Sequence, residues 1–345
     1  MIPYTRKTLP NGLTVVVTRD RASNLAAVNI LYRVGARNEN PARTGFAHLF
    51  EHLMFRGTRT VENFDLPVQM ASGDNNAFTN NDYTDFYITL PKDNLETALW
   101  LESDRMEGLD ITPAKLEAEK KVVIEEFRQR YLNQPYGDQT MLLRALAYKV
   151  HPYRWAAIGL ATDHIAGATL ADVESFYRTH YRPSNAILSI SADMEEERML
   201  ELAEKWFAPL ADHPSATAAI PQEPVQTQAR RQEVERDVPA STVTVAYHMC
   251  ARTKPDFYTA DLVSDLLSGG DSGRLYTHLV KERNLLSSVN AYITGDVDPG
   301  LFVFTGQLLP GVTPEAAEAA FREEIEALQT TAATAYEIEK VKNKF

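Results

Sequence analysis

The stretch GFAHLFEHLMFRG occupies residues 45–57 and carries two histidines four positions apart with a glutamate between them. At 3.6 residues per turn, this spacing puts His48 and His52 on one face of a helix, with Glu51 on the same side. The apolar side chains cluster roughly opposite and are Phe46, Leu49, Phe50 and Leu53. We therefore expect a helix that buries its apolar stripe and presents its polar face to a site.

Two imidazoles with an interposed carboxylate suit zinc, which takes neutral imidazole nitrogens and leaves room for an activated water. The order His-x-x-Glu-His is the inverse of the commoner zinc-protease order. The alternative is a pair of structural histidines beside an ordinary surface glutamate. Because a hydrolytic zinc site normally has three protein ligands, a third must come from elsewhere in the chain.

A second predicted helix, over residues 113–132, offers the third ligand. Thr112 suits its N-cap and Pro113 its first helical position. Glu119 and Glu126 fall beside its inward apolar stripe, where carboxylates are costly unless paired or ligating. We predict Glu126 as the third ligand and Glu119 as a group that orients a histidine ligand or the substrate. For Glu119, a salt bridge with a nearby arginine is the alternative.

Composition narrows the classes of partner and site. Lys and Arg total 35 against 47 Asp and Glu, a formal net charge of −12, which argues against a nucleic-acid surface. The single Cys250 excludes a disulfide within the chain and any multi-cysteine metal site. No stretch approaches ~18 apolar residues, so we expect a soluble protein without a membrane segment.

The 345 residues predict about two domains. A Pro-, Ala-, Ser- and Thr-rich stretch without a consistent period indicates a linker at 213–237. The predicted domains are 1–212, which holds the histidines, and 238–345. Helical and strand patterns alternate in both, which indicates an α+β fold. The predicted strands are 13–18, 26–34, 84–90, 185–191, 241–249 and 301–307, and the predicted helices are 44–56, 94–107, 113–132, 139–148, 170–178, 195–207, 257–267, 275–282 and 314–328.

An internal repeat relates the two halves when residue n is set against residue n+215. Val28 then meets Val243 and Tyr32 meets Tyr247, and the order of strand and helix matches, which favours a duplicated unit. Because the second copy is much shorter and ends within a helical pattern at 336–345, we expect it to be truncated at its C-terminus. The residues that meet His48, Glu51 and His52 are Val263, Leu266 and Leu267, so only the first copy can hold metal.

These motifs resemble the pitrilysin or insulinase family of zinc peptidases, and in particular its bacterial branch similar to the mitochondrial processing peptidases. Glu126 follows His52 by 74 positions (126 − 52 = 74) and closes a Glu-x6-Glu spacing. Further segments that carry the resemblance are Asn11-Gly12-Leu13, Asn76-Ala77-Phe78-Thr79, Asp82-Tyr83-Thr84, Tyr181-Arg182-Pro183-Ser184-Asn185 and Gly269-Gly270 to Arg274-Leu275.

The resemblance implies two similar α/β-sandwich domains that together form one half of a clamshell peptidase. It implies a zinc-dependent endopeptidase that hydrolyses peptides or unfolded segments in an enclosed chamber. Zn²⁺ would be held by His48, His52 and Glu126. Glu51 would act as general base on the zinc-bound water, and Glu119 would assist as a further catalytic group.

The resemblance also implies substrate and partner. Asn76, Ala77 and Phe78 would bind peptide substrate as part of an edge strand, although a polar turn at 75–80 is the alternative. The family takes an arginine and a tyrosine from the opposing half, and no Arg-x6-Tyr pair occurs around 291–307. We therefore expect a homodimer or a heterodimer with a zinc-free paralogue that supplies this pair.

Two other function classes stay open at this point. In the family that the chain resembles, some members serve as non-catalytic scaffold or core subunits, and these usually lack residues of the metal motif. The remaining class is a metal-dependent hydrolase of a non-peptide bond. The expected compartment is the cytoplasm or periplasm of a bacterium.

Overall fold

The computed structural model describes residues 2–213 and 218–344. Part of the predicted linker, residues 214–217, and the last residue of the predicted terminal helix, Phe345, lie outside the described residues. The strands are β1 (Thr5–Thr8), β2 (Thr14–Arg19), β3 (Leu25–Tyr32), β4 (Asp74–Thr79), β5 (Thr84–Pro91), β6 (Ala186–Ala192), β7 (Thr242–His248), β8 (Leu286–Ile293) and β9 (Leu301–Leu308). The α-helices are α1 (Phe46–Leu53), α2 (Asp65–Met70), α3 (Leu95–Glu107), α4 (Pro113–Phe127), α5 (Gln139–Ala147), α6 (Thr162–Ala166), α7 (Leu170–His180), α8 (Glu196–Phe207), α9 (Asp256–Ser268), α10 (Pro314–Thr330) and α11 (Ala335–Lys342).

The chain divides into two compact units, Met1–Thr227 and Gln228–Phe345, which we call unit 1 and unit 2. The division lies inside the predicted linker at 213–237. The exact limits of the two domains stay a prediction.

Unit 1 is built on a six-stranded sheet in the order β1-β2-β6-β3-β5-β4. All neighbours pair antiparallel except β2 and β6, which are parallel. Side chains alternate along β3, so that Val28, Ile30 and Tyr32 are fully buried while the residues between them are partly exposed. This alternation with period two is typical of a sheet that packs helices on one face only.

Helices α1, α3 and α8 pack against this sheet. The core beneath α1 is aromatic: the Phe50 ring stacks on Phe176 and Tyr181, each at a centroid distance of 5.2 Å. Phe46, Leu49, Phe50 and Leu53 are all buried, so the apolar stripe predicted for this helix is confirmed. This burial leaves the opposite face of α1 free to form a site.

Unit 2 has a three-stranded antiparallel sheet in the order β7-β9-β8. Its smaller core gathers side chains from α9, β9 and α10, among them Leu267, Phe304 and Phe321. Adding 215 to the limits of β3, β5 and α1 gives 240–247, 299–306 and 261–268, which overlap β7, β9 and α9. The pairing order β3-β5-β4 recurs as β7-β9-β8. The predicted α+β class with two similar domains is therefore confirmed.

Several local predictions change. The helix predicted over 113–132 is α-helical only to Phe127 and continues as a wider π turn at Arg128–Leu132. The helix predicted at 275–282 is likewise a π-helix at Tyr276–Glu282. The polar turn considered for 75–80 is wrong, because β4 pairs there with β5. Strands β1 and β8 and helices α2 and α6 had no prediction, since they are short or lack a clear apolar period.

Candidate metal centre

Helix α1 begins where it does because of Gly45. This residue has φ +88°, and a Cβ built on it would lie 2.6 Å from the carbonyl oxygen of Ile158. Both the left-handed backbone and the close approach require glycine. The first helical residue is therefore Phe46, and this start decides which side chains of α1 point away from the core.

Helix α4 begins at the predicted position. The Thr112 hydroxyl accepts a hydrogen bond from the backbone N–H of Lys115 at 3.2 Å, and Pro113 is the first helical residue. The helix packs directly against α1. Its Glu119 side chain is only 2% exposed and that of Glu126 is 18% exposed, so both carboxylates face α1 as their helical angles predict.

The two helices bring three donor groups together. One donor atom each from His48, His52 and Glu126 all lie within 4.8 Å of one another. The Oε2 atom of Glu126 is 3.3 Å from His52 Nε2 and 3.7 Å from His48 Nε2. The three residues that the sequence analysis proposed as metal ligands thus converge, although 74 residues separate His52 from Glu126 (126 − 52 = 74).

Glu119 contacts two partners at once. Its Oε2 lies 3.4 Å from His52 Nδ1, the ring nitrogen that faces away from Glu126. Its Oε1 forms an ion pair with Arg56. The contact with a histidine and the salt bridge, which were alternatives in the sequence, therefore both occur in the structure.

Glu51 lies on the same face of α1, partly buried, and within the described residues its buried Oε2 atom has no hydrogen-bond partner. Burial raises the pKa of this carboxyl, and a hydrogen bond with the Thr79 side chain partly counteracts the rise. Thr79 belongs to β4, so the edge strand of the sheet contacts the glutamate directly. An unpartnered carboxylate oxygen with a raised pKa is what a proton acceptor beside a metal requires.

The charges around the donor atoms differ between the two histidines. Burial lowers the pKa of His48 to about 4. For His52, hydrogen bonds with Glu119 and Glu126 outweigh the effect of burial and raise the pKa to about 9. The hydrogen bond with His52 in turn lowers the pKa of Glu126.

The donor set fits a divalent zinc ion. Two imidazole nitrogens and one carboxylate oxygen match the ligand types that catalytic zinc sites use, with a fourth position left for water. The second Glu126 oxygen, Oε1, lies 3.1 Å from Arg130 Nη2, which leaves Oε2 directed at the histidines. The groups around the ligands therefore favour a single binding oxygen on Glu126.

The predicted substrate-binding residues lie on β4, the last strand of the unit 1 sheet as described. Asn76 and Phe78 are exposed, the latter by 43%, whereas Ala77 is half-buried. The Ala77 backbone N–H donates to the Asn76 side chain at 2.8 Å. Their binding of substrate stays a prediction.

Four residues near the site were missed by sequence reasoning. Thr79 and Arg56 contact the glutamates, and Arg130 pairs with Glu126. The i,i+4 spacing of Glu126 and Arg130 is a local signal that could have identified this pair. Glu39, whose buried carboxylate accepts hydrogen bonds from the start of α1, carries no such signal.

The fold and the donor cluster together define the class of metal-dependent peptidases to which the sequence resemblance pointed. A family model described as Insulinase (Peptidase family M16) matches residues 14–155. A second, described as Peptidase M16 inactive domain, matches residues 167–345. The chain belongs to the insulinase family, peptidase family M16.

Individual relatives agree with this membership. The chain is 33% identical to zinc protease PqqE of Helicobacter pylori over 97% of its own length and 77% of that protein. It is 26% identical to a probable mitochondrial-processing peptidase subunit beta of Arabidopsis thaliana over 87% of its length and 59% of that protein. The crystal structure of a protease from Helicobacter pylori superposes with a TM-score of 0.92 at 32% identity, over 100% of this chain and 84% of that chain.

The chain is thus similar to proteins named zinc proteases, and the predicted family is confirmed. Within the described ranges, none of the helices combines the length and the apolar character needed to cross a lipid bilayer.

Proposed function

We propose that the chain is the zinc-bearing part of an endopeptidase that hydrolyses peptides or unfolded segments. His48, His52 and Glu126 would hold the ion. The convergence of their three donor atoms within 4.8 Å is the observation that carries this proposal. Beside them, the buried Oε2 atom of Glu51 has no hydrogen-bond partner among the described residues, so it can accept a proton as hydrolysis requires, and non-catalytic subunits have no need of such a group.

When bound, zinc supplies Lewis acidity that polarises the scissile carbonyl and lowers the pKa of a coordinated water. Glu51 takes the proton of the attacking water and delivers it to the leaving amine. Its raised pKa brings this carboxylate closer to the acidity needed to do both near neutral pH. Thr79 holds the carboxyl in place from β4.

Glu119 acts through His52. A carboxylate at 3.4 Å from Nδ1 keeps the ring oriented so that Nε2 faces Glu126 and the metal position. Arg56 neutralises the rest of the charge on Glu119, which is otherwise costly to bury. Glu119 is therefore assigned a positioning role rather than a proton-transfer role.

Peptide substrate would pair with β4. An extended peptide that adds to an edge strand is recognised by its main chain, which suits cleavage without strict sequence preference. Asn76, Ala77 and Phe78 would then contact substrate, with the exposed Phe78 ring available to a substrate side chain. Because Thr79 of the same strand contacts Glu51, substrate paired there lies beside the proton acceptor.

The decisive experiment measures zinc content and then cleavage of a quenched fluorogenic peptide, with and without a chelator. We expect about one zinc per chain and chelator-sensitive cleavage. Glu51→Gln should retain zinc and lower kcat by at least ~10²-fold, the range of general acid–base catalysis. Zinc binding without peptide cleavage under any condition would favour the scaffold role instead. Cleavage that is unchanged in Glu51→Gln would refute the assignment of the base.

A partner is part of the proposal. The sequence lacks an Arg-x6-Tyr pair around 291–307, so a second subunit, either another copy or a zinc-free paralogue, would supply these side chains. Size-exclusion chromatography and peptide cleavage of the chain alone and mixed with a paralogue test this. Full activity of a monomer would refute it.

A further inference from the structure

The first turn of α1 is held by one buried carboxylate. Glu39 is 6% exposed, and its two oxygens accept hydrogen bonds from the backbone N–H groups of Gly45 at 2.9 Å and Ala47 at 2.8 Å. The first N–H groups of a helix have no acceptor within the helix and need one from outside. Glu39 supplies this acceptor from six residues before Gly45, and the second group that it accepts from, the N–H of Ala47, directly precedes His48.

Glu39 is itself fixed to the core of unit 1. A short 3-10 turn at Ala36–Asn38 precedes it. The indole N–H of Trp155, a side chain only 1% exposed, donates to the carbonyl oxygen of Ala36 at 3.0 Å. The carboxylate that holds α1 is thus anchored by a large buried residue from a distant part of the sequence.

The two histidines of α1 are oriented by different means. His52 has Glu119 at 3.4 Å from its Nδ1. His48 is 9% exposed, and across the described residues its buried Nδ1 has no hydrogen-bond partner. A ring without such a bond takes its orientation from its backbone and from packing. The backbone that carries His48 is the first turn of α1, which Glu39 holds.

We propose that Glu39 is a positioning residue for His48, acting through the backbone of the first helical turn as Glu119 acts on His52 through a side chain. This inference rests on the proposed function, because it supposes that His48 binds zinc. Unit 2 gives independent support. Its residues at the offset of 215 from Glu39 and Gly45 are Lys254 and Ala260, so the unit without ligand histidines also lacks this carboxylate.

The test is a comparison of zinc affinities in the full chain. Zinc binding is measured by competition with a chromophoric chelator for the wild type and Glu39→Gln. The amide of Gln directs an N–H₂ group at one of the two backbone donors, which shifts the first turn. Burial raises the pKa of Glu39 to about 8, against the lowering by its N–H donors, so the titrations are made at pH 8.5. We expect the Kd for zinc to rise about tenfold, the lower end of the effect of removing a residue that orients a ligand.

A double-mutant cycle separates positioning of His48 from general destabilisation. In a His48→Ala background, Glu39→Gln should change the zinc Kd by less than about twofold, because the residue it positions is gone. In a His52→Ala background, the change of about tenfold should persist. Equal effects in both backgrounds would overturn the proposal.

A matched control removes the cap of another helix in the same unit. The Thr169 hydroxyl accepts from the N–H of Asp172 at 3.2 Å at the start of α7. Thr169→Ala should lower Tm while leaving zinc affinity unchanged. If Thr169→Ala weakened zinc binding as much as Glu39→Gln, the effect would be one of stability and the proposal would fail.

The conservative variant and the Co²⁺ spectrum complete the test. Glu39→Asp keeps the charge but shortens the side chain, so we expect a smaller rise in Kd, and this variant replaces Glu39→Gln in the cycle if the latter does not fold. The visible absorption of the Co²⁺-loaded protein should change in both variants, and an unchanged spectrum would contradict a shift of His48. Two results would show that the proposed metal site itself is wrong: no zinc binding by the wild type, or an unaltered zinc affinity in His48→Ala. An unaltered Kd in Glu39→Gln alone would instead contradict only the role of Glu39.

Discussion

The two units share an order of strands and helices along the chain and a pattern of strand pairing, but they differ in the side chains that they bury. Where unit 1 has His48, Glu51 and His52 on α1, unit 2 has Val263, Leu266 and Leu267 on α9 at the offset of 215. The latter two are buried in the core of unit 2. The same helix position therefore serves either a polar site or simple packing, and the difference lies in the side chains rather than in the fold.

The contrast extends to the helices that pack against these positions. On α4, Glu119 and Glu126 face the histidines, whereas the positions at the same offset are Thr334 and the buried Val341. Glu102 and Arg105 of α3 form a buried ion pair, and their counterparts on α10 are Ala317 and Ala320, both fully buried. Unit 1 thus carries charged side chains that are costly to bury unless they are paired, and unit 2 has no charged side chain at the corresponding positions.

The largest expected effect comes from giving unit 1 the residues of unit 2. The five changes are His48→Val, Glu51→Leu, His52→Leu, Glu119→Thr and Glu126→Val. We expect zinc binding to fall below detection. Relative to the metal-free wild type, the free energy of unfolding should stay equal or rise by about 1–4 kcal/mol, because apolar side chains replace most of the buried charges.

Zinc determination and urea denaturation check this prediction. The chain's three tryptophans, Trp100, Trp155 and Trp206, all lie in unit 1, so tryptophan fluorescence follows the unfolding of that unit alone. His52→Leu by itself is the control and should lower stability, since it leaves the buried Glu119 without one of its partners. Retained zinc in the five-residue variant would show that the metal binds elsewhere.

The next effect concerns the buried ion pair of α3. Glu102 and Arg105 are at most 1% exposed, and the Arg105 guanidinium lies 4.2 Å from the centroid of the Phe86 ring. Arg105→Met should lower the unfolding free energy of unit 1 by about 3–5 kcal/mol, because it leaves a buried carboxylate unpaired. Adding Glu102→Leu should recover most of the loss. Urea denaturation read by tryptophan fluorescence checks both, and a loss that persists in the double variant would mean that packing of Arg105 matters more than its charge.

A smaller effect tests why the two helices start at different positions of the repeat. Phe46, the first residue of α1, corresponds to residue 261 (46 + 215 = 261), whereas α9 already begins at Asp256. Gly45→Ala should lower the unfolding free energy of unit 1 by about 1–3 kcal/mol, because the position has φ +88° and the added methyl would meet the Ile158 carbonyl. Its counterpart Ala260 lies inside α9, where Ala260→Gly should cost about 1 kcal/mol through helix propensity. Hydrogen exchange measured by mass spectrometry reports on unit 2. If Gly45→Ala left the free energy of unfolding unchanged, the left-handed backbone at Gly45 would not explain why the two helices start at different positions.

The smallest expected effect is pH-dependent and belongs to unit 2. Hydrogen bonds from Arg274, at 2.7 and 2.9 Å, lower the pKa of Glu337 to about 2. A lowered pKa means that the carboxylate stabilises unit 2 fully above its usual pKa and loses this contribution as the pH falls toward 2. Glu337→Gln should therefore reduce stability by up to about 1 kcal/mol at pH 7. Hydrogen exchange of the wild type and the variant should converge as the pH falls through this range, and a difference that grows on acidification would contradict the assignment.

Local patterns in the sequence were sufficient for much of unit 1. The period of the apolar residues predicted α1 and its buried stripe, and Thr112 with Pro113 predicted the start of α4. The position of Glu126 beside a buried stripe indicated that it needed a partner. These inferences succeed because helical geometry relates residues three and four apart directly.

Other features had no local signal. The hydrogen bonds of Glu39 with the start of α1 depend on a turn whose direction the sequence does not reveal. The contact of Thr79 with Glu51 depends on the pairing of β4 with β5. The π turn at Arg128–Leu132 interrupts a pattern that reads as a continuous helix. For Glu39 and Thr79, a contact between separate elements decides the local geometry.

The sequence by itself determined the candidate ligand types, the spacing of His48 and His52, the repeat at an offset of 215 and the loss of polar groups in the second copy. Only the tertiary structure decided how closely Glu119 and Glu126 approach the histidines and that Glu119 contacts His52 and Arg56 together. The physical reason is the separation along the chain over which each kind of contact acts. Backbone geometry relates side chains within a turn or two, whereas the distance between α1 and α4 depends on how the intervening chain packs the two helices against the sheet.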